Sequence, residues 1–574
     1  MILTGRGMFH PMSGHGRRRE FMTIERRRPI GWPRLLWALL IAGIIIFPGR
    51  GESNRASTSV SFRDVSARLD FVHRTEGGEG LAGAAWFDYN NDGLLDVYLT
   101  NGIGHANGLF RNNGDGTFTN VSQRAGVENG LGSSGVVAGD MDNDGYVDLF
   151  LTGEGGILGS QQSPVKLYHN NGDGTFTDVT EASGLTGPET AWSAALADID
   201  GDGFLDLFIA SPGRALQEQH HNALYHNNGD LTFTDISASS GVNTARGGCV
   251  ASFTDYDGDG RVDLLVGDCA DIYARPTPIE LFRNNGDLTF TEVTERAGLD
   301  PGGFWMGLAI GDYDNDGDMD IFATNFGTSK RWFGRFFLHA LYVNNGDGTF
   351  TDVGEQAGVA RWEWGWGCSF TDVDNDGDLD LFFAGNFPHE PFDVMSAGRG
   401  NPGRLLINEG DGTFRDAADQ AIFGLEDEFT SGVAVGDFDG NGFPDILVAV
   451  GGFDDRAGHP HLYQNLGNDN AWITLRLVGT MSNRDAIGAR VSVTAGGRTQ
   501  VKEVRAGSSF LSMDSPWLTF GLGEADHIES IGVVWPSGLS EEFEPPPVRQ
   551  TITLVEGEGL PLTQLRSSDD RPRR

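Results

Sequence analysis

A nine-residue pattern carries most of the chemistry this chain could do. It first reads Asp88-Tyr89-Asn90-Asn91-Asp92-Gly93-Leu94-Leu95-Asp96, with oxygen-bearing side chains at positions 1, 3, 5 and 9 and glycine at position 6. It returns as Asp140, Asp142, Asp144, Tyr146 and Asp148 (positions 1, 3, 5, 7 and 9), then as Asp198, Asp200, Asp202, Phe204 and Asp206. The fourth copy has Asp255, Asp257, Asp259, Arg261 and Asp263, and the fifth Asp312, Asp314, Asp316, Asp318 and Asp320. Asp372, Asp374, Asp376, Asp378 and Asp380 make the sixth, and Asp437, Asp439, Asn441, Phe443 and Asp445 the seventh. Alternating carboxylates on a sharply turning loop are hard oxygen donors at the spacing calcium takes, and the carbonyl at position 7, first Leu94, adds a ligand. Leu99 stands where an EF-hand has its bidentate Glu, so each loop links two strands rather than two helices. Asx turns alone explain one such copy. Seven copies, each with Asp at positions 1 and 9, point to bound ions.

The ligand positions 1, 3, 5 and 9 hold 26 carboxylates, so up to seven structural calcium ions are expected. Asn90 and Asn441 each remove one carboxylate, which makes the first and last sites the expected weakest.

The elements that position these loops repeat with them. Successive copies start 52 to 65 residues apart, room for one four-stranded sheet each. A small-residue apolar stretch such as Val136-Val137-Ala138-Gly139 leads in, and a β-type run such as Leu264-Leu265-Val266 follows. Later comes a hairpin, best seen from Leu341 to Val353, around Asn345-Gly346-Asp347-Gly348, residues that tolerate the positive φ of tight turns. The seventh copy lacks its outer strand, while an orphan Ser61-Phe62-Arg63-Asp64-Val65 precedes the first loop. The expected fold is therefore all-β: a seven-bladed β-propeller over 60–467, with 61–65 completing the last blade beside 461–465. A small β-sandwich-like domain over 470–558 follows, without acidic loops, and 559–574 has a disordered composition.

Composition limits the partners. The net charge is −40, although residues 1–50 carry nine Arg against two Glu. So acidic a chain repels nucleic acid and anionic membrane surfaces. In residues 1–50, Arg17 to Arg19 and Arg26 to Arg28 precede an uncharged apolar run, Leu35 to Phe47, too short for a membrane span. This reads as a signal peptide or an N-terminal membrane anchor, and as export to an extracellular, periplasmic or cell-surface location. Cys249, Cys269 and Cys368 form no metal spacing; the first two could pair or simply be buried.

With these residues in view, the loops and hairpins resemble the FG-GAP/VCBS repeats of integrin α-subunit propellers. Asn483 to Val491, Gly507 to Gly523 and Val533 to Gly538 are similar to the ASPIC/UnbV domain. Together they resemble the cartilage acidic protein-like architecture over about residues 60–558, which implies a secreted calcium-binding propeller. Vertebrate members carry a further module after the tail; nothing in this sequence resembles it, so their partners are not carried over.

Aromatic residues in copies five and six suggest a ligand face opposite the acidic loops: Trp305, Trp332, Phe333, Trp362 and Trp364, with His389. An extracellular protein or a glycan is the expected partner. No Gly-x-Ser-x-Gly, phosphate loop or zinc motif appears, so an adhesion or scaffold role is preferred to a glycan-binding one, and a polysaccharide lyase or hydrolase comes last.

Overall fold

The computed structural model describes residues 60–561 apart from 75–78, 154–162, 189, 213–221, 244–245, 270–275, 333–334, 386–402, 418–422, 426–427 and 454–456. The described residues form one compact unit. The leader at 1–50 and the segment 562–574 lie outside the described residues.

Seven antiparallel four-stranded sheets carry the seven acidic loops. The first is Ala84–Phe87, Asp96–Leu99, Gly108–Asn112 and Phe118–Asn120. The seventh is Thr430–Gly436, Asp445–Val450, His461–Asn465 and, from the front of the chain, Phe62–Asp64. Phe62 lies opposite Asn465 and Asp64 opposite Tyr463, so the two ends of the repeat array are joined by backbone hydrogen bonds. Each first strand touches that of the next sheet, and the first strand of the seventh touches that of the first. This ring is a β-propeller, and its sheets are called blades one to seven below.

The innermost strands are short and rich in Ala, Gly and Ser, as in Ser133–Gly139, every residue of which is buried. Small side chains are needed where neighbouring strands crowd around one axis. Larger apolar residues of the second and third strands, such as Phe150 and Leu167, fill the space between blades.

An asparagine ladder ties each blade to the one before. The residue ending the third strand donates from its side chain to the carbonyl at loop position 2 of the preceding blade. Asn170 reaches Tyr89 O, Asn227 reaches Met141 O and Asn284 reaches Ile199 O, each at 2.8 Å. Asn344, Asn408 and Asn465 continue to Tyr256, Tyr313 and Val373, and Asn112 closes the circle on Phe438 O at 2.7 Å.

The C-terminal region has two sheets. In one, Ala471–Val478 runs antiparallel to Leu518–Gly523 and parallel to Gln550–Val555. The other orders Arg498–Glu503, Arg490–Ala495, Ser530–Val534, Ser540–Phe543 and Leu560–Pro561. The last two strands were not expected. Leu560–Pro561 pairs with Glu541 and Glu542 through its backbone, while Leu560 itself is exposed, so no hydrophobic signal marked it and the ordered chain runs past 558.

This region lies over the acidic-loop face of the ring. Residues 506–515 descend into the centre and hydrogen-bond every first strand. Ala506 O accepts from Leu196 N (3.0 Å), Gly507 O from Ser252 Oγ (3.1 Å) and Leu511 O from Val136 N (3.1 Å). Ser509 N donates to Leu308 O and its Oγ accepts from Cys368 N. Met513 N donates to Ala84 O and Ser515 N to Val435 O. Inward-facing backbone groups of the ring thus find partners without water. Phe510, fully buried, packs against Trp192 and Trp366 at centroid distances of 5.9 and 5.0 Å, which gives both tryptophans a structural place.

Candidate metal centres

Each acidic loop is wound by its own carboxylates. In blade one Asp88 Oδ1 accepts from Asp92 N (3.0 Å) and Oδ2 from Gly93 N (2.9 Å), while Asp92 Oδ1 accepts from Leu94 N (3.1 Å). The same bonds recur in blade two from Asp140 and Asp144, with Tyr146 N as the last donor, and in blade six from Asp372 and Asp376. Position 4 has positive φ in every blade: Asn91, Asn143, Gly201, Gly258, Asn315, Asn375 and Gly440. Only residue types that tolerate the left-handed region occur there.

The Asp at position 9 is buried in all seven blades: Asp96, Asp148, Asp206, Asp263, Asp320, Asp380 and Asp445. One oxygen accepts from the backbone of the ladder asparagine, as Asp148 does from Asn170 N at 2.8 Å. In every blade but the fourth the other turns back to the start of the loop, as Asp148 Oδ2 accepts from Met141 N. One residue therefore fixes the loop to both its own first turn and the third strand.

The carboxylates converge. Asp140, Asp142 and Asp148, then Asp198, Asp200 and Asp206, then Asp255, Asp257 and Asp259 each bring ligand atoms within 4.8 Å of one another. Burial, the leading cause, and the neighbouring carboxylates push Asp96, Asp140, Asp148 and Asp263 up to about 8, Asp198 and Asp312 to about 7, and Asp320 to about 9. In blade four Asp257 Oδ1 and Asp263 Oδ2 are buried with no hydrogen-bond partner. A hard divalent cation fits such a donor set: it supplies the missing partner and the opposing charge together.

The residue just before the ladder asparagine on the third strand also reaches the loops, which sequence reading did not see. His169 Nδ1 lies 3.2 Å from Asp148 Oδ1 and 3.5 Å from Asp142 Oδ2. His226 lies 3.0 Å from Asp206 Oδ1, and that hydrogen bond pushes the imidazole up to about 9. Arg283 pairs with Asp257 and Asp259, each at 2.8 Å, and Arg261 also pairs with Asp259. Gln464 donates to Asp439 in blade seven. Blades five and six have Val343 and Ile407 at this position and a fifth Asp in the loop, Asp318 and Asp378.

The C-terminal region adds its own charges. Arg476 lies 3.3 Å from Asp88, Arg498 lies 2.7 Å from Asp378, and Asp485 accepts from Asp140 N at 2.6 Å.

These loops and the domain above them match known families. The FG-GAP-like repeat matches residues 88–151, 156–209, 206–266, 269–323, 339–383 and 392–448, and "ASPIC and UnbV" matches 479–561. The chain belongs to the FG-GAP-like repeat family and carries an ASPIC/UnbV domain. Cartilage acidic protein 1 of Homo sapiens is 28% identical over 426 residues, covering 70% of this chain and 60% of that protein. Its Xenopus tropicalis counterpart is 26% identical over 482 residues, 79% of this chain and 70% of that one. The chain thus spans about 60% of the human relative's length.

Among solved structures, a lectin of Agrocybe aegerita that recognises non-reducing terminal N-acetylglucosamine is 20% identical, with a TM-score of 0.35 over 58% of this chain and 79% of that one. BBS1N in complex with ARL6DN is 10% identical, with a TM-score of 0.38 over 71% and 97%. Neither likeness bears on what this FG-GAP protein binds.

Of the aromatic residues expected on a ligand face, Trp305 and Trp364 are interior. Trp305 is 3% and Trp364 5% exposed; Trp364 stacks on Trp366 at 5.7 Å and meets Phe326 edge-on at 4.6 Å. Trp362 is half-buried beneath the Arg404 guanidinium, 4.6 Å from its ring. Trp332 ends the strand Gly327–Trp332, and Phe333 and His389 lie outside the described residues. Packing between blades five and six takes the Trp364 ring, because large planar side chains fill wedge-shaped space well. Cys249 and Cys269 form a disulfide, with Cα atoms 5.7 Å apart, and Cys368 is a buried free thiol.

Proposed function

We propose that this FG-GAP protein is an exported, calcium-stabilised propeller that serves as an adhesion or scaffold module, binding its ligand away from the acidic loops. The carrying observation is the C-terminal domain itself. It covers the acidic-loop face and fills the centre with residues 506–515, so the side of the ring remote from it is the side left for a partner. Up to seven calcium ions then act structurally, holding together carboxylates that would otherwise repel one another. The disulfide favours an oxidising compartment and so supports export. No helix among the described residues is long and apolar enough to cross a membrane.

A glycan array probed with the protein, in calcium and in chelator, separates the two binding readings. A blank array on folded protein supports a protein-binding scaffold. Calcium-dependent hits would replace that reading with a lectin-like one, and turnover of a bound glycan would make it an enzyme.

A further inference from the structure

Blades two and six neutralise an acid at the outer edge of the sheet with their own cation. Lys166, first in its third strand, pairs with Asp178 at 2.6 Å, and Arg404 pairs with Asp416 at 3.0 Å. Blade five keeps the acid, Asp352, opposite Tyr342, but has Ala340 where Lys166 and Arg404 stand. A cavity of about 400 Å³ lies there, within the size range of small-ligand sites. Ala340, Tyr342 and Asp352 line it, with buried Trp305 and Phe337 behind and exposed Phe336 at the lip.

A second observation is independent of the missing cation. Tyr342 is 1% exposed, and its hydroxyl has no hydrogen-bond partner. The equivalent Tyr225 hydroxyl accepts from Gly187 N at 3.1 Å, and that of Tyr463 donates to Phe423 O. Blade three also has an alanine in the cation's place, Ala223, but its tyrosine is satisfied in this way. Only in blade five do an uncompensated acid, a partnerless phenol and a cavity coincide among the described residues. Asp352 is exposed at the end of its strand, and its Oδ1 accepts only main-chain N–H groups, from Gly354 (2.9 Å) and Leu341 (3.4 Å).

Glu355, Arg335 and His339 also line the cavity, and each has a contact of its own. Glu355 pairs with Arg361 at 2.6 Å. Arg335 lies over the Phe337 ring at 4.6 Å. His339 is neutral, burial driving it down to about 4, with its nitrogens taken by Asn325 N and Glu363 O.

We propose that this cavity seats a basic side chain of a partner protein, an arginine guanidinium or lysine ammonium held between Asp352, the Tyr342 hydroxyl and the aromatic walls. The partner supplies in trans what Lys166 and Arg404 supply in cis. A carboxylate neutralises the cation, the phenol oxygen accepts one N–H, and the rings favour a cation over a neutral group. The chain's charge of −40 draws basic partners toward it. The inference rests on the protein-binding reading above and names the chemistry of its contact.

The test titrates the calcium-loaded protein with N-acetyl-arginine amide and, as the neutral isostere, N-acetyl-citrulline amide, followed by NMR. The arginine compound is expected to bind at least ~tenfold more tightly. Ala340→Arg, which reproduces blade six, should abolish binding without lowering the melting temperature, and Asp352→Asn should weaken binding about tenfold. Equal binding of the two amides, no binding of either, or unchanged binding in Ala340→Arg overturns the proposal. So does a sugar that competes for the cavity where the arginine compound does not bind. Melting the same samples in calcium and in chelator reads the loops separately, so loss of this site leaves the calcium account standing.

Discussion

At the scale of single residues, the seven loops share a motif but not an electrostatic setting. Arg283 and Arg261 already offset the carboxylates of blade four, whereas blade five presents Asp312, Asp314, Asp316, Asp318 and Asp320 against Val343. Asp314→Asn should therefore lower the melting temperature in calcium more than Asp257→Asn, by several degrees, in a side-by-side thermal melt. Equal shifts would mean that the third-strand residue does not tune the sites. Removing a ladder amide acts through packing instead: Asn344→Ala leaves Tyr256 O without its donor and should cost about 2 kcal/mol in denaturant unfolding, with or without calcium. The loop residues were legible in the sequence because ligands, the glycine bend and the left-handed position 4 all lie within nine residues. His169 and Arg283 were not, since they approach from a strand about twenty residues further on, and the ladder asparagines reach across to the preceding blade. Asn90 and Asn441 were expected to weaken the end sites, but the structure adds a second influence there, Arg476 beside Asp88 and Gln464 beside Asp439.

At the scale of elements, hairpins and strand alternation were readable from turn residues and period-two patterning, and so was the orphan strand at 61–65. Residues 506–515 were not. Their Gly, Ser and Leu have no periodicity, and their conformation is dictated by the ring they enter. Phe510→Ala should destabilise the protein by about 3–4 kcal/mol, because it opens a cavity between Trp192 and Trp366. Glu556 plays the corresponding part within the ASPIC/UnbV domain. It is buried and accepts N–H groups from Thr480, Met481 and Ser482 at 2.8–2.9 Å, together with the hydroxyls of Ser482 and Ser537. Although burial opposes ionisation, those donors together hold the carboxyl down at about 2, below its unfolded value of 4.5. Its stabilisation is present above about pH 4.5 and is lost as the pH falls toward 2. Glu556→Gln should thus cost about 2 kcal/mol at neutral pH, with the difference from wild type closing in acid. A gap that persists at pH 2.5 would show that the charge is not what matters.

At the scale of the whole molecule, the ring, the cap formed by the C-terminal domain and the central segment 506–515 make one unit, and the acidic loops lie at the junction between them. Arg476, Arg484, Asp485 and Arg498 all contact loop residues, so the cap rests on the very groups that an ion would order. Ion loss should loosen blades and cap together rather than one blade at a time. The sequence showed seven copies and a β-rich tail, but not that the tail covers the loops, since that relation joins residues several hundred positions apart. The most direct test is a thermal melt of the protein at neutral pH in millimolar calcium and again in excess chelator, followed by near-UV circular dichroism of the buried tryptophans. The account predicts one cooperative transition in calcium and a midpoint lower by more than about 10 °C in chelator. An unchanged midpoint would mean that the loops hold their shape without a cation, and would contradict the account.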